Sequence, residues 1–166
     1  MRSRGSAMLS YEAETYLLNA FFKPDRDAEW SLARVSSVEQ LVRFSERLMR
    51  DMSALGFPAK DLFGTRLALH EAVVNALKHG HGSDITQAVS IRYSLTPERI
   101  VLEVEDQGPG FNPSAVPNPT AAENLEKPNG RGILLMRSFM SLVRYSERGN
   151  RVTLCRFSSA RAALNN

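Results

Sequence analysis

The sequence predicts an α/β two-layer sandwich, in which helices cover one face of a mixed, mostly antiparallel sheet. Two observations carry this prediction: long apolar patterns of helical period alternate with short strand patterns, and the strand patterns come in adjacent pairs. The elements follow the order β-α-α-β-β-loop-α-β-β. That order implies a single sheet with its helices in one covering layer.

Composition indicates a globular protein with one domain. The chain has 166 residues, of which 43% are hydrophobic and 23% charged, and its formal net charge is +3. The basic residues are scattered, so no direct nucleic-acid contact is expected. No signal peptide or membrane span is predicted, and we expect the cytoplasm. A single cysteine, Cys155, excludes an internal disulfide and predicts a packed thiol.

Three segments are predicted along the chain. Residues 1–27 form an N-terminal extension, partly disordered or carrying a short helix, and residues 159–166 form a tail. The domain spans residues 28–158 and opens with a strand at 30–35. Ser36 and Glu39 match a capping box at the start of the first long helix.

The two long helices and the strand pair after them are read from their periods. Gly56 is placed to end the first helix, and Pro58 suits the start of the second. Residues 89–95 alternate apolar and polar side chains, and after a turn Ile100, Leu102 and Val104 alternate with Val101, Glu103 and Glu105 in a partner strand. Following the second alternation one step further places Asp106 on the buried face at the strand end. A carboxylate there is costly unless something binds it.

Residues 112–129 hold four prolines and no usable period, which predicts a long mobile loop. Gly130-Arg131-Gly132 ends that loop, and a helix is predicted from Ile133 to Leu142. Strands at about 142–147 and 151–158, joined through Gly149-Asn150, complete the domain.

One helix carries a row of polar side chains. Glu71, Asn75 and His79 are spaced by four residues and so share one helical face. Phosphoryl transfer needs a group that prepares the nucleophile and a ligand for nucleotide-bound Mg²⁺. A solvated face is the plain alternative for Glu71 alone. Asn75, however, costs about 0.5 kcal/mol relative to alanine in a helix and lies among apolar residues.

Two glycine-rich blocks accompany this row. In Asp106-Gln107-Gly108-Pro109-Gly110, the aspartate can accept a hydrogen bond from the exocyclic amine of adenine, and the glycines let the backbone approach a nucleotide. Gly130-Arg131-Gly132 precedes a helix, whose free N–H groups suit a phosphate. A common strand-end turn and a solvated arginine are the plain alternatives.

Together the three blocks resemble the nucleotide-binding motifs of the Bergerat-fold ATPases. The N box and the two glycine boxes are matched, in that order, by Glu71-x-x-x-Asn75-x-x-x-His79-Gly80, Asp106-x-Gly108-x-Gly110 and Gly130-Arg131-Gly132. The Arg in the last block, followed by Ile133-Leu134-Leu135-Met136, is most similar to the anti-sigma-factor serine/threonine protein kinases, which are small stand-alone members with a histidine-kinase-like ATPase domain.

The resemblance implies ATP and Mg²⁺ as cofactors and assigns roles. Glu71 would be the general base toward a partner's hydroxyl, and Arg131 would contact the γ-phosphate. The remaining positions would bind the nucleotide. Asn75 would be the Mg²⁺ ligand, and His79, Gly130 and Gly132 would lie on the phosphate side. Asp106 would bind adenine, with Thr153 sharing that contact through water, while Gly108 and Gly110 would shape the pocket and residues 112–129 would form the ATP lid.

The resemblance also implies a function in partner switching. The protein would be an anti-sigma factor that phosphorylates a serine of an antagonist protein, with a sigma factor as second partner and a homodimer as its assembly. Two alternatives stay open. The first is the ATP-binding catalytic domain of a histidine kinase, although the Arg in the second glycine box argues against it. The second is a non-catalytic ATP-dependent regulator that binds proteins.

Overall fold

The computed structural model describes residues 29–80, 88–112 and 131–162. The predicted N-terminal extension, nearly all of the predicted lid, Gly130 and residues 163–166 of the tail lie outside these residues. The described elements are β1 (Ser31–Val35), α1 (Val38–Ala54), α2 (Ala59–Asn75, continued by a π-helical segment Ala76–Gly80), β2 (Val89–Leu95), β3 (Arg99–Glu105), α3 (Arg131–Phe139), β4 (Leu142–Tyr145), β5 (Arg151–Phe157) and α4 (Ser159–Ala162).

The five strands form one sheet in the order β1-β2-β3-β5-β4, and every neighbouring pair is antiparallel. β2 and β3 form a hairpin through Thr96, whose N–H donates to the Arg99 carbonyl over 2.9 Å. The predicted sandwich with an antiparallel sheet is therefore confirmed. None of the described helices is long and apolar enough to cross a membrane.

One face of the sheet packs against the helices and forms the core. The residues that β3 contributes to this core are Ile100, Leu102 and Val104, and Leu102 is paired with Leu154 of β5. Strand side chains alternate between faces, so these residues meet the apolar sides of the helices. The helical residues buried in the same core include Leu41, Phe44, Leu48, Met49, Met52, Ala68, Leu69, Ala72, Val73 and Met136.

The opposite face, which we call the open face, carries charged residues at one end of the sheet. Arg92 and Glu103 form an ion pair of 3.1 Å there, and the Trp30 ring stacks 4.8 Å from the Arg92 guanidinium carbon. Cys155 lies further along this face and is only 2% exposed. Burial raises the pKa of its thiol to about 11, against a smaller lowering by Arg99. The thiol is packed, as predicted.

Two helix starts differ from the sequence prediction. The N-cap of α1 is Ser37, whose hydroxyl accepts from the Gln40 N–H over 3.2 Å. The predicted capping box was therefore wrong by one residue. The Gln40 side chain instead accepts from the Ser36 N–H over 2.9 Å. In α3 the helix already includes Arg131 and Gly132, two residues before the predicted start at Ile133.

A buried ion pair fixes one end of the helical layer. Asp61, in the first turn of α2, is fully buried and accepts from Arg156 Nε over 3.0 Å and from the Ser159 N–H over 2.7 Å. Arg156 also donates to the Phe139 carbonyl at the end of α3 over 2.9 Å. One carboxylate thereby links α2, β5, α3 and α4. Breaking such a pair leaves an uncompensated buried charge.

Candidate functional site

The polar row on α2 meets the start of α3. Glu71 is half-buried, and its side chain lies against the backbone of Gly132. A β-carbon at position 132 would be 2.7 Å from Glu71 Cδ and 2.9 Å from Cγ, and it would overlap the carboxylate. The missing side chain at Gly132 is therefore what makes room for Glu71. The first and third sequence blocks are brought together in the fold.

Asn75 lies one turn after Glu71, at the last α-helical residue of α2, and is half-buried. The α-helical spacing keeps both side chains on one face. Beyond Asn75 the chain passes into the π-helical segment Ala76–Gly80. Such π turns are frequent at functional sites. His79 belongs to this segment, but its side chain is outside the described part of the structure.

The start of α3 presents backbone donors next to Glu71. Arg131 is the first residue of the helix and is exposed, and Gly132 follows it in the first turn. First-turn N–H groups have no partner within their own helix. Glycine inside a helix costs about 0.5–1 kcal/mol relative to alanine, so its presence at 132 is explained by the contact with Glu71.

Asp106 follows β3 and is half-buried rather than fully buried. Val104 faces the helices and Glu105 is exposed, so the alternation directs Asp106 toward the helical layer. Its Oδ1 accepts from the Gly108 N–H over 2.8 Å. Among the described residues, no second partner of the carboxylate is recorded. Oδ2 thus remains an acceptor for a ligand, with the side chain held in place by the bond to Gly108.

Asp106 begins the glycine loop, residues 106–111. Gly110 has a φ of 78°, which residues with a side chain rarely adopt, while Gly108 is buried. Phe111 is 42% exposed, and its ring meets Tyr145 edge-on at a centroid distance of 5.2 Å. Phe111 therefore packs the end of the glycine loop against β4.

Tyr145 connects the glycine loop to the row on α2. Burial is the main cause that raises the pKa of its phenol to about 12. Arg137 acts in the opposite direction and the Glu71 carboxylate in the same one. Tyr145 thus packs against Phe111 of the glycine loop, although the sequence did not single it out.

Thr153 is not brought to Asp106. The β3–β5 register pairs Thr153 with Glu103, and Val152 with Val104. Thr153 consequently lies on the open face, while the alternation turns Asp106 toward the helices. The open face has its own groove of about 640 Å³, whose lining includes Glu103, Glu105, Arg144, Arg151 and Thr153. Tyr145, Arg148 and Asn150 also line this groove.

Asn150 is the residue that the fold places beside Asp106. The Asp106 N–H donates to the Asn150 carbonyl, and Asn150 Nδ2 donates to the Asp106 carbonyl, each over 3.0 Å. Sequence reasoning treated Asn150 only as part of a connection. The signal was the register: Glu105 pairs with Arg151, so the next step of the antiparallel ladder pairs Asp106 with Asn150.

The site combines four groups. Two are on α2, the Glu71 carboxylate and the Asn75 amide one turn later. The others are Gly132 in the first turn of α3 and the Asp106 carboxylate at the end of β3. These residues fit a nucleotide with its metal, because the first-turn N–H groups of α3 suit a phosphate and Asp106 Oδ2 can accept a hydrogen bond from a base. Carboxylate and amide oxygens are ligands that Mg²⁺ accepts.

The chain is similar to several known proteins. The anti-sigma F factor of Clostridium perfringens is 36% identical over 93 residues, which cover 54% of this chain and 66% of that protein. The serine/threonine-protein kinase BtrW of Bordetella bronchiseptica is 26% identical over 135 residues, covering 79% of this chain and 92% of that protein. The chain thus spans about two thirds of the first relative and most of the second.

A solved structure of the RsbU and RsbW domains of a Mycobacterium tuberculosis protein shares the fold. It superposes with a TM-score of 0.51 at 15% identity, over 76% of this chain and 32% of that one. Residues 33–156 match the family model described as the histidine kinase-like ATPase domain. The resemblance predicted from the three sequence blocks is thereby confirmed: the chain belongs to the histidine kinase-like ATPase domain family.

Proposed function

We propose that this protein is an ATP- and Mg²⁺-dependent serine/threonine kinase that acts as an anti-sigma factor in partner switching. Its substrate is a serine of an antagonist protein. The relatives named anti-sigma F factor and serine/threonine-protein kinase support the class. The observation that carries the proposal is the contact of the Glu71 carboxylate with Gly132 at the start of α3, which joins a candidate base to a candidate phosphate site.

Glu71 is the general base of the proposed reaction. When bound, ATP supplies the phosphoryl group and Mg²⁺ offsets its negative charge. Glu71 stands on a long helix, half-buried, so its carboxylate is held where it accepts the proton of a serine hydroxyl. The Asn75 amide, one turn further along, holds the metal.

The start of α3 and the glycine loop hold the nucleotide. Arg131 neutralises charge at the terminal phosphate, and Gly132 contributes a first-turn N–H to the phosphate. Asp106 accepts from the exocyclic amine of adenine through Oδ2, since Oδ1 is already bonded to Gly108. His79 and Gly130 remain predicted phosphate-side residues, and residues 112–129 the predicted lid. We retain the domain bounds 28–158 as a prediction.

The proposed partners are the antagonist protein and a sigma factor, with the kinase as a homodimer in the cytoplasm. Partner switching follows from the chemistry: phosphorylation adds about −1.5 to −2 charges to a serine at neutral pH, which is enough to break a docked surface. Release of the phosphorylated antagonist would then leave the kinase free to hold the sigma factor.

The test is transfer of labelled γ-phosphate from ATP to the antagonist. We expect Glu71→Gln to lower the transfer rate by about 10²–10⁴-fold, the range for loss of a general base, with ATP binding retained. Glu46→Gln is the matched control, because Glu46 is an exposed glutamate of α1. Transfer by Glu71→Gln at the wild-type rate would refute the base assignment.

The same assay separates the alternatives. A phosphohistidine product would favour the histidine-kinase reading. Stable binding of the antagonist or sigma factor by the wild-type protein, with ATP bound but no transfer, would favour the non-catalytic regulator.

A further inference from the structure

The turn between β4 and β5, residues 146–150, holds the glycine loop along most of its length. Asn150 bonds to Asp106 at both backbone groups: the Asp106 N–H donates to the Asn150 carbonyl, and Asn150 Nδ2 donates to the Asp106 carbonyl, each over 3.0 Å. The backbone from which the Asp106 carboxylate projects is therefore fixed by one residue of the turn.

Arg148 holds the next part of the loop. Its Nη2 donates to the Gly108 carbonyl over 3.1 Å, and its Nε is 3.5 Å from the Pro109 carbonyl. Hydrogen bonds from a charged donor are stronger than neutral ones, and the planar guanidinium orients both carbonyls together. The Gly108 N–H, on the other side of that residue, is the donor to Asp106 Oδ1.

The two backbones also touch directly. A β-carbon at Gly110 would be 2.9 Å from the Arg148 carbonyl carbon, and one at Gly149 would be 2.9 Å from the backbone of Phe111. Both glycines have positive φ, 78° and 75°. Such close approach is possible only without side chains, so each segment carries a glycine where the other presses against it.

The turn is itself well braced, so it can act as a support. The Ser146 N–H donates to the Arg151 carbonyl over 2.8 Å, and the Gly149 N–H to the Ser146 carbonyl over 2.9 Å. Ser146 Oγ lies 3.4 Å from Asn150 Oδ1. This contact orients the amide, because it occupies the oxygen and leaves Nδ2 toward Asp106.

We propose that Asn150 and Arg148 are positioning residues of the nucleotide site, which set the Asp106 carboxylate for adenine and thereby make the site selective for adenine nucleotides. The inference rests on the proposed ATP-binding function and deepens it. Asp106 accepts from the exocyclic amine, and the turn at residues 146–150 sets the orientation of the Asp106 carboxylate. Losing one or two of these bonds should weaken adenine binding about 10-fold, the equivalent of one to two hydrogen bonds.

The test is calorimetric titration of the full chain with ATP, ADP, GTP and inorganic triphosphate. For Asn150→Ala and Arg148→Ala we expect the affinities for ATP and ADP to fall about 10-fold, as one lost hydrogen bond implies, and the preference for ATP over GTP to narrow. Affinity for triphosphate should stay unchanged, because that probe contacts only the phosphate side. A fall of all four affinities by one factor would indicate general damage and overturn the positioning role.

Arg151→Ala is the matched control. It removes an arginine next to Asn150 and changes the net charge as Arg148→Ala does, but Arg151 is paired with Glu105 and lies on the open face. Its nucleotide affinities should match the wild type. Amide exchange supplies a readout in the absence of nucleotide: the Gly108 N–H should exchange faster in Asn150→Ala and Arg148→Ala than in Arg151→Ala.

The possible failures are distinguishable. If the wild-type protein binds ATP and both variants bind it equally well, the positioning inference fails while the proposed function stands. If the wild-type protein binds no adenine nucleotide, the proposed function fails and this inference with it. If Asn150→Ala does not fold, Arg148→Ala decides the question, because it leaves both backbone-directed bonds of Asn150 in place.

Discussion

The carboxylate of Glu71 lies against the backbone of Gly132, so the middle of α2 contacts the start of α3 at this point. The contact involves the far end of the Glu71 side chain, with Cγ and Cδ at 2.9 Å and 2.7 Å from the place a β-carbon would take. A flexible side chain can move away from such a methyl group. The glycine therefore protects the position of the carboxylate more than the stability of the fold.

Gly132→Ala should separate activity from stability. The new methyl group displaces the Glu71 carboxylate, and a misplacement of about 1 Å can cost about 10²-fold in rate. The free energy of unfolding should change by less than about 1 kcal/mol, since alanine is favoured over glycine in a helix by a similar amount. Phosphate-transfer kinetics and urea unfolding on the same preparation measure both quantities.

Gly64→Ala is the control for that variant. It adds the same methyl group between α2 and α3, but 3.1 Å from Phe139 Cβ and Cδ1 at the other end of the contact. Its effect should appear in the free energy of unfolding, with transfer activity unchanged. Equal loss of activity in both variants would contradict the role given to Gly132.

Asp106→Asn should weaken ATP binding by about 10–100-fold, because hydrogen bonds to a charged group contribute about 1.5–3 kcal/mol. The substitution keeps the size of the side chain and removes its charge, so the loss reports the acceptor. Asp51→Asn, on the exposed side of α1, is the control. Calorimetry with unchanged ATP affinity for Asp106→Asn would exclude the adenine role.

Asp61→Asn should destabilise the protein by about 3 kcal/mol, near the lower end of the range for breaking a buried ion pair, because Arg156 keeps partial contact with water. Glu39→Gln is the matched control. It breaks the exposed pair with Arg43, an i,i+4 contact expected to contribute no more than about 0.5 kcal/mol. Urea unfolding of both variants at neutral pH gives the comparison.

The same carboxylate predicts a pH dependence. Burial acts to raise the pKa of Asp61, but the Ser159 N–H and the Arg156 guanidinium outweigh it, and the pKa is lowered from 3.8. A lowered pKa stabilises the fold above the unfolded value and loses that effect as pH falls through the folded one. The difference in unfolding free energy between wild type and Asp61→Asn should be constant above about pH 5 and shrink below it. A difference that grows on acidification would contradict this pKa.

The strands could be predicted because their signal is local. Ile100, Leu102 and Val104 stand at every second position of β3, and the fold buries all three against the helices. The same rule also places Thr153 correctly: it stands between the buried Val152 and Leu154, so it faces away from them. The family resemblance implied that Thr153 shares the adenine contact of Asp106, but the alternation places Thr153 on the opposite face of the sheet.

What the sequence could not supply are features decided by contacts between distant segments. Gly132 suggests a loop when read locally, yet it lies inside a helix because Glu71 fills the space beside it. Asn150 is separated from Asp106 by more than 40 residues, and only the β3–β5 register joins them. No pattern of period two or 3.6 contains that information.

The switch from α-helical to π-helical bonding after Asn75 has a consequence for how this chain tolerates change in length. An i→i+5 bond encloses one residue more than an i→i+4 bond, so Ala76–Gly80 holds a surplus residue compared with an unbroken helix. Deletion of one residue there would convert the turn to α-helical winding and leave Glu71 and Asn75 where they are. The chain after Asn75 can therefore lose a residue over evolutionary time without disturbing the pair on which the proposed chemistry depends.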